Sequence, residues 1–214
     1  MIQIQRFVNE LMTSNCFVVW DDDSRHCVII DPASEKAERE IQLIEDNKLT
    51  LDYILLTHEH TDHTWGVNAL VERYNPEVVC NTACKDALPK SGDMYFRLYY
   101  DDPNYTYTVC KVDHTTEELD NHLVWDGKVI EFIPAPGHSA GSICIRLGDK
   151  VFSGDTLMQF KPYVNKKSGS KEVMRQTINR IVSSLPSSTM IYPGHGEIFD
   201  LTDYINPFDI IKQS

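Results

Sequence analysis

The sequence contains no apolar run that approaches the roughly 20 residues needed to cross a bilayer. Its first seven residues lack the basic and then apolar layout of a secretion signal. Cationic residues are also scarce, since 20 lysines and arginines stand against 32 acidic residues and leave a net charge of −12. Nucleic acids and anionic membranes bind cationic surfaces, so this charge disfavours both as partners. These absences predict a cytoplasmic protein that acts on a small molecule.

Disulfide bonds are not expected, although the chain has six cysteines. In a chain of 214 residues without a secretion signal, free thiols are the expected state. Cys80 and Cys84 have a spacing that invites a zinc site, but no second pair of soft ligands lies nearby. Because Val78 and Val79 precede Cys80 as in a buried strand, we interpret both thiols as small apolar core groups. The length predicts one domain over residues 1–214.

The apolar patterns predict an α/β (α+β) fold with two sheets covered by helices. Runs rich in β-branched residues predict strands over residues 2–8, 16–20, 26–30, 53–56, 129–133, 142–147, 151–152 and 190–192. Gly148 and Asp149 predict a two-residue hairpin turn. Helical spacing predicts helices capped by Ser34, over residues 67–74 and over 171–185. The tyrosine-rich residues 89–118 show weak periodicity, which is typical either of a lid or binding loop or of an ordinary surface excursion.

The segment of residues 57–63 reads THEHTDH and follows an apolar strand directly. In an extended backbone, residues two apart point the same way, so His58 and His60 could bind one metal ion together. The chain then turns, so Asp62 and His63 at a helix start could face the same cleft from another direction. Imidazole nitrogens and carboxylate oxygens are ligands that zinc and other first-row metals accept. The segment therefore predicts a metal site.

Three later segments place a ligand-type side chain beside glycine at the end of an apolar strand. These are His138 after Gly137, Asp155 after Gly154 and His195 after Gly194. Glycine lets the backbone turn sharply and approach a site closely. Each segment alone is a weak signal, but together they supply the remaining ligands of the predicted site. The other three histidines lack this context and are interpreted as surface or strand residues: His26, His114 and His122.

The complete pattern resembles the metallo-β-lactamase superfamily and, within it, the branch of glyoxalase II (hydroxyacylglutathione hydrolase). The resemblance runs through residues 15–16, 28–32, 57–63, 136–139, 154–156, 193–196 and 206–208. It implies an αββα sandwich of two mixed sheets flanked by helices, with metals at one edge of the sheets. It implies two metal ions whose ligands are His58, His60 and His138 for the first, Asp62, His63 and His195 for the second, and Asp155 as the bridge.

The residue types are consistent with the chemistry that this resemblance implies. A carboxylate shared by two cations lowers their repulsion and sets a separation of about 3.5–4 Å. Water held between them becomes a nucleophilic hydroxide near neutral pH, and the metals can stabilise the oxyanion that forms. Asp62, beside that hydroxide, could orient it, so Asp62 and Asp155 are the predicted catalytic residues. Zinc is the expected metal, with iron and manganese left open.

Departures from the family pattern restrict the substrate prediction. Glyoxalase II has a further helical domain that helps bind glutathione, and 214 residues are expected to be too few to include it; residues 157–163 also lack the Gly-Arg pair that many short relatives carry. We therefore predict a metal-dependent hydrolase of a small thioester, with a lactone as the next substrate class. Two alternatives remain: a persulfide dioxygenase with one iron held by two histidines and an aspartate, and a non-catalytic binding or regulatory protein. The oligomeric state is not predicted.

Overall fold

The first half of the chain forms a six-stranded sheet in the order β1–β2–β3–β4–β5–β6. The computed structural model describes residues 1–88, 101, 104–164 and 168–209. The strands are β1 (Ile2–Val8), β2 (Asn15–Asp21), β3 (His26–Ile30), β4 (Thr50–Leu55), β5 (Glu77–Cys80) and β6 (His114–Thr115). The first three pair antiparallel, whereas β3 to β6 run parallel. The sheet is therefore mixed, and its parallel strands end on one side.

The second half forms another six-stranded mixed sheet, in the order β12–β11–β10–β9–β8–β7. Its strands are β7 (His122–Trp125), β8 (Lys128–Pro134), β9 (Ile143–Leu147), β10 (Lys150–Gly154), β11 (Met190–Pro193) and β12 (Phe199–Asp200). Strands β10 and β11 run parallel, while the other neighbours run antiparallel. Lys150 pairs with Leu147, so the predicted hairpin turn at Gly148 and Asp149 is confirmed.

Three apolar layers produce the αββα sandwich. The middle layer joins the inner faces of the sheets, for example Phe17 and Leu55 against Ile130 and Phe152. The outer layers pack helices onto the opposite faces of the two sheets. The helices are α1 (Glu38–Asn47), α2 (Thr61–Thr64), α3 (Val67–Tyr74), α4 (Thr82–Ala87) and α5 (Lys171–Ser184). Burial of side chains on both faces of each sheet is the main stabilising force of this architecture. The predicted fold class is confirmed.

Two local predictions are wrong. Ser34 does not cap the first helix: α1 begins at Glu38, and its N-cap is Ala37 at φ 46° with no side-chain hydrogen bond. The chain instead makes a tight turn in which the Ala37 N–H donates to the carbonyl of Ser34. The continuous extended backbone expected from His58 to His60 is also absent, because β4 ends at Leu55 and the chain bends over residues 57–59, although His60 itself is extended at φ −66° and ψ 142°.

The middle segment is described only in part, and the choice between a lid and a surface excursion lies largely outside the described residues. Within the described part, Tyr105 accepts a hydrogen bond from Trp65 Nε1 at 2.9 Å, and the Tyr107 hydroxyl donates to the Thr64 carbonyl. Both tyrosines therefore anchor this segment on the end of α2. Among the described residues, no helix combines the length and the apolar character that crossing a membrane requires.

Candidate metal centre

The seven predicted ligands lie on the same side of the sandwich, after the ends of four strands and at the start of α2. His58 and His60 follow β4, and α2 carries Asp62 and His63 in its first turns. The remaining three follow strands of the second sheet: His138 after β8, Asp155 after β10 and His195 after β11. Because parallel strands end at a common edge, residues far apart in the sequence are brought together there. The structure places all seven in one cluster.

A first triad consists of three imidazoles. His58 Nε2 lies 3.1 Å from His60 Nδ1, and His138 Nε2 lies 2.8 Å from the same atom. These three nitrogens lie within 4.8 Å of one another and could hold a metal ion. The ring centroids of His58 and His60 are 4.7 Å apart, so the predicted partnership is present although a bend over residues 57–59 replaces the continuous extended run that was expected to produce it.

A second triad combines a carboxylate with two imidazoles. Asp62 Oδ2 lies 3.6 Å from His63 Nε2 and 3.4 Å from His195 Nε2. The two imidazole nitrogens are 3.4 Å apart. These atoms also form a group that could hold a metal ion. Because α2 begins at Thr61, Asp62 and His63 both lie on the first turn of the helix, as predicted.

Asp155 lies between the triads and faces each with a different oxygen. Its Oδ2 is 3.5 Å from His138 Nε2 in the first triad. Its Oδ1 is 3.5 Å from His63 Nε2 and 3.6 Å from His195 Nε2 in the second. Oδ1 is buried, and no hydrogen-bond donor contacts it within the described part of the chain. A buried carboxylate oxygen without a donor is costly unless a cation binds it, so this oxygen fits a metal ion.

Gly194 explains how the backbone approaches this carboxylate so closely. A Cβ atom at position 194 would lie 2.3 Å from Asp155 Oδ1 and 2.9 Å from His63 Cε1. Any larger residue at position 194 would therefore collide with Asp155 and with His63. The predicted role of glycine in allowing close approach is confirmed here by the space that the backbone leaves.

A second layer of contacts orients the ligands and was not predicted from the sequence. Asp31 Oδ2 lies 3.0 Å from His63 Nδ1 and accepts a hydrogen bond from Thr57 Oγ1 at 2.6 Å. Thr57 Oγ1 is in turn 3.0 Å from His58 Nδ1. On the other side, the Tyr163 carbonyl lies 2.8 Å from His138 Nδ1. Partners of this kind fix the ring orientation of metal-binding histidines.

Sequence signals for this layer were available in part. Asp31 belongs to a segment that carried the family resemblance, and it stands at φ 52°, a conformation that residues other than glycine rarely adopt. Asn15 belongs to another such segment, and its Nδ2 donates to the carbonyls of Pro193 and Gly196 on either side of His195. A backbone partner such as the Tyr163 carbonyl leaves no signal in the sequence.

Electrostatics differ between the two triads in the metal-free protein. Burial lowers the pKa of His58 well below its ordinary value, and the neighbouring imidazoles act in the same direction. Burial would also lower the pKa of His63, but the charges of Asp62 and Asp155 outweigh it and raise that pKa to about 10. Burial would raise the pKa of Asp62, but His63 and His195 bring it below its ordinary value. His58 therefore offers a neutral lone pair, and the carboxylates of Asp62 and Asp155 around His63 attract a cation.

The remaining histidines and cysteines lie away from this cluster. His26 contacts Asp52 near the starts of β3 and β4, at the opposite end of the strands. His114 and His122 are partly or fully exposed and stand at the first positions of β6 and β7, as interpreted from the sequence. Cys80 is buried at the end of β5 and Cys84 is buried in α4. Neither belongs to a potential metal group among the described residues.

Comparison with known proteins gives the same answer as the geometry. The family model of the metallo-β-lactamase superfamily matches residues 10–195. The chain is 26% identical over 189 residues to the probable polyketide biosynthesis zinc-dependent hydrolase BaeB of Bacillus velezensis, a match that covers 87% of this chain and 75% of that protein. It is 28% identical over 181 residues to a hydroxyacylglutathione hydrolase of Psychromonas ingrahamii, covering 84% of this chain and 60% of that protein.

Among solved structures, the fold is similar to the crystal structure of the BLEG-1 B3 metallo-β-lactamase. The TM-score is 0.80 at 25% sequence identity, with 94% of this chain and 95% of that chain covered. The matched family region contains all seven predicted ligands. The chain belongs to the metallo-β-lactamase superfamily, and its function is that of a metal-dependent hydrolase of this superfamily.

Proposed function

We propose that the protein is a dinuclear metal-dependent hydrolase of a small thioester. The first ion would take the three imidazoles of His58, His60 and His138. The second ion would take Asp62, His63 and His195, with Asp155 shared between them. The observation that carries the proposal is the split contact of Asp155, whose Oδ2 faces the first triad and whose donor-free Oδ1 faces the second.

The chemistry follows from these residues. Two divalent ions bound there would supply an activated water near neutral pH and an electrophilic partner for the substrate carbonyl. Asp62 is the carboxylate of the second triad, and its side chain is 16% exposed, so it is positioned to orient the attacking water. His58 and His63 are almost completely buried, so they exclude bulk water from the inner wall. The partly exposed His60, Asp62 and His195 form the side from which a substrate would enter.

Two observations support a thioester over other esters and zinc over other metals. Hydroxyacylglutathione hydrolase is by name a hydrolase of a glutathione conjugate, and it is similar to this chain over most of the chain's length. BaeB is by name zinc-dependent. Residues 157–163, which lack the Gly-Arg pair of many short relatives, follow Asp155 and include the Tyr163 carbonyl that orients His138. This segment borders the site, so the acyl or thiol group is expected to differ from that of glyoxalase II.

The test is a hydrolysis assay on metal-loaded protein with a panel of acyl thioesters and lactones. Glutathione and N-acetylcysteamine thioesters with short and long acyl groups would separate the acyl preference from the thiol preference. We expect turnover of at least one thioester class and loss of turnover in the Asp62→Ala variant. Failure of the whole panel with fully loaded protein would exclude this substrate assignment.

The alternative function, a one-iron persulfide dioxygenase, would give a different number of metal ions per chain. It needs one iron bound by two histidines and an aspartate, whereas the proposal needs two ions per chain. Metal analysis by mass spectrometry, together with oxygen uptake in the presence of a persulfide, separates the two functions. The presence of two triads with Asp155 between them favours the dinuclear hydrolase.

A further inference from the structure

Glu59 stands between two candidate ligands in the sequence, yet its side chain is buried inside the protein. It is only 5% exposed, and its Oε2 accepts a hydrogen bond from the Ser139 hydroxyl at 2.7 Å. Ser139 is completely buried and directly follows His138. The hydrogen bond therefore joins the loop that carries His58 and His60 to the loop that carries the third imidazole of the same triad.

The loop after β8 is fixed at several points, and Glu59 contacts it next to the ligand. At the far end, the Ile143 N–H donates to the Thr57 carbonyl at 2.9 Å. In the middle, a Cβ atom on Gly141 would lie 2.6 Å from Cys84 Cα, so this turn packs directly on α4. At the near end, the Ser139 hydroxyl is shared between Glu59 Oε2 and Ser142 Oγ, the latter at 3.1 Å.

A buried carboxyl group is costly unless hydrogen-bond donors contact it. The bond from Ser139 is therefore a firm constraint on the backbone beside His138. The ring of His138 is oriented separately, through its Nδ1 contact with the Tyr163 carbonyl. The hydrogen bond between Ser139 and Glu59 sets the backbone position of His138, and the contact with the Tyr163 carbonyl sets the orientation of its ring.

We propose that Glu59 and Ser139 form a positioning pair that sets the metal affinity of the first triad. The inference rests on the proposed function, since it assumes that this triad binds a metal ion. Both side chains are buried and hydrogen-bonded to each other, so the pair acts through the placement of His138 relative to His58 and His60. Loss of an outer partner of a metal ligand typically weakens metal affinity by about 10–100-fold.

A second role for Glu59 must be separated from this one. Burial and the neighbouring His138 lower the pKa of His60, whereas the negative charge of Glu59 raises it. The charge could therefore attract a cation without any role for Ser139. Glu59→Gln keeps a hydrogen-bond acceptor and removes the charge, whereas Ser139→Ala keeps the charge and removes the donor. Glu59→Ala removes both.

The experiment titrates the metal-free full-length protein and its variants with Zn²⁺ in competition with a chromogenic chelator. It is repeated with Co²⁺, whose absorption spectrum reports the ligand geometry. His138→Ala identifies the binding phase of the first triad. Asp52→Ala is the matched control, because Asp52 is a partly buried acceptor of the Trp125 indole N–H near the starts of the strands, away from the triads. Thermal unfolding of each metal-free variant measures general loss of stability.

We expect Ser139→Ala to weaken the first phase by about tenfold and to leave the second phase unchanged. Glu59→Gln should remain within about threefold of the parent protein, and the effects of Glu59→Ala and Ser139→Ala should be non-additive in the double variant. A loss in Glu59→Gln with an unchanged Ser139→Ala would assign the effect to charge and overturn the positioning role. The positioning role would also be overturned if Ser139→Ala weakened both metal-binding phases equally, or if Asp52→Ala weakened the first phase as much as Ser139→Ala does. A parent protein that binds no metal would instead refute the proposed function itself.

Discussion

Asp31 and His63 form a buried contact of 3.0 Å between a carboxylate oxygen and the imidazole Nδ1. The contact leaves His63 Nε2 directed at Asp62 and Asp155, because the ring can donate its Nδ1 proton to Asp31. Asp31 adopts a left-handed conformation at φ 52°, which a non-glycine residue adopts only where the surroundings enforce it. The residue thus joins the end of β3 to the second triad.

The first prediction concerns this contact. Asp31→Ala should weaken divalent-metal binding by about 10–100-fold, because His63 loses the partner that sets its ring orientation. Competition titration with a chelator measures the change. Asp52→Ala provides the control, since it removes a carboxylate that contacts His26 away from the triads. Unaltered affinity in Asp31→Ala would show that His63 is oriented by other groups.

The second prediction concerns the shared carboxylate. Asp155→Ala should lower the occupancy of both metal sites, because the substitution removes an oxygen from each triad. Metal content per chain, measured by mass spectrometry after gel filtration, reports the occupancy. His138→Ala serves as the comparison and should deplete mainly the first site. Full metal content in Asp155→Ala would contradict the bridging role.

The third prediction concerns stability in acid and avoids the metal site. Burial would raise the pKa of Asp113, but the Val78 N–H and Lys111 outweigh burial and lower it below its ordinary value. A lowered pKa in the folded state stabilises the protein above the ordinary value of about 3.9, and this stabilisation is lost as the pH falls through the lowered pKa. Asp113→Ala should therefore reduce the free energy of unfolding by about 1 kcal/mol at pH 7, discounted for the partial exposure of Asp113.

The measurement is thermal or denaturant unfolding of the parent protein and Asp113→Ala at pH 7 and at progressively lower pH. The difference between them should shrink toward the acid end. Asp149→Ala, which removes a more exposed carboxylate paired with Lys150, should give a smaller difference at pH 7. A difference for Asp113→Ala that grows as the pH falls would have the wrong sign and would exclude the explanation.

The fourth prediction concerns the thiols. Cys110 is exposed, whereas the other five cysteines are buried. Burial raises the pKa of Cys27 and of Cys144 to about 12, so their reactive thiolate forms are scarce near neutral pH. A thiol reagent should therefore modify one cysteine per native chain rapidly and all six after denaturation. Cys110→Ser should abolish the rapid phase, and a remaining rapid phase would show that a buried thiol is accessible.

The local sequence predicted most strands well because their signal is local. The runs at Ile2–Val8 and His26–Ile30 matched the structure. In His26–Ile30, β-branched residues recur because the strand is almost entirely buried in the sheet. Ile2–Val8 is instead a partly exposed edge strand whose apolar and polar residues alternate at its start. Strand β7 (His122–Trp125) was missed because it is short and lies at a sheet edge, where Val124 is 69% exposed. The cap at Ser34 was wrong because the buried Ala37 and the turn before it decide where α1 begins.

Residue types and spacing identified the candidate ligands, whereas their division into triads came from the family resemblance alone. Residue types, strand ends and glycine neighbours singled out all seven, because imidazoles and carboxylates are the side chains that bind zinc. The pairing of His138 with His58 and His60, and the position of Asp155 between the triads, depend on which strands end side by side. Only the packing of the two sheets determines that order, since residues 60 and 138 meet across the sandwich and not along the chain. The buried contacts of Asp31 and Glu59 belong to the same category, because a carboxylate acquires its partner only when separate loops fold against each other.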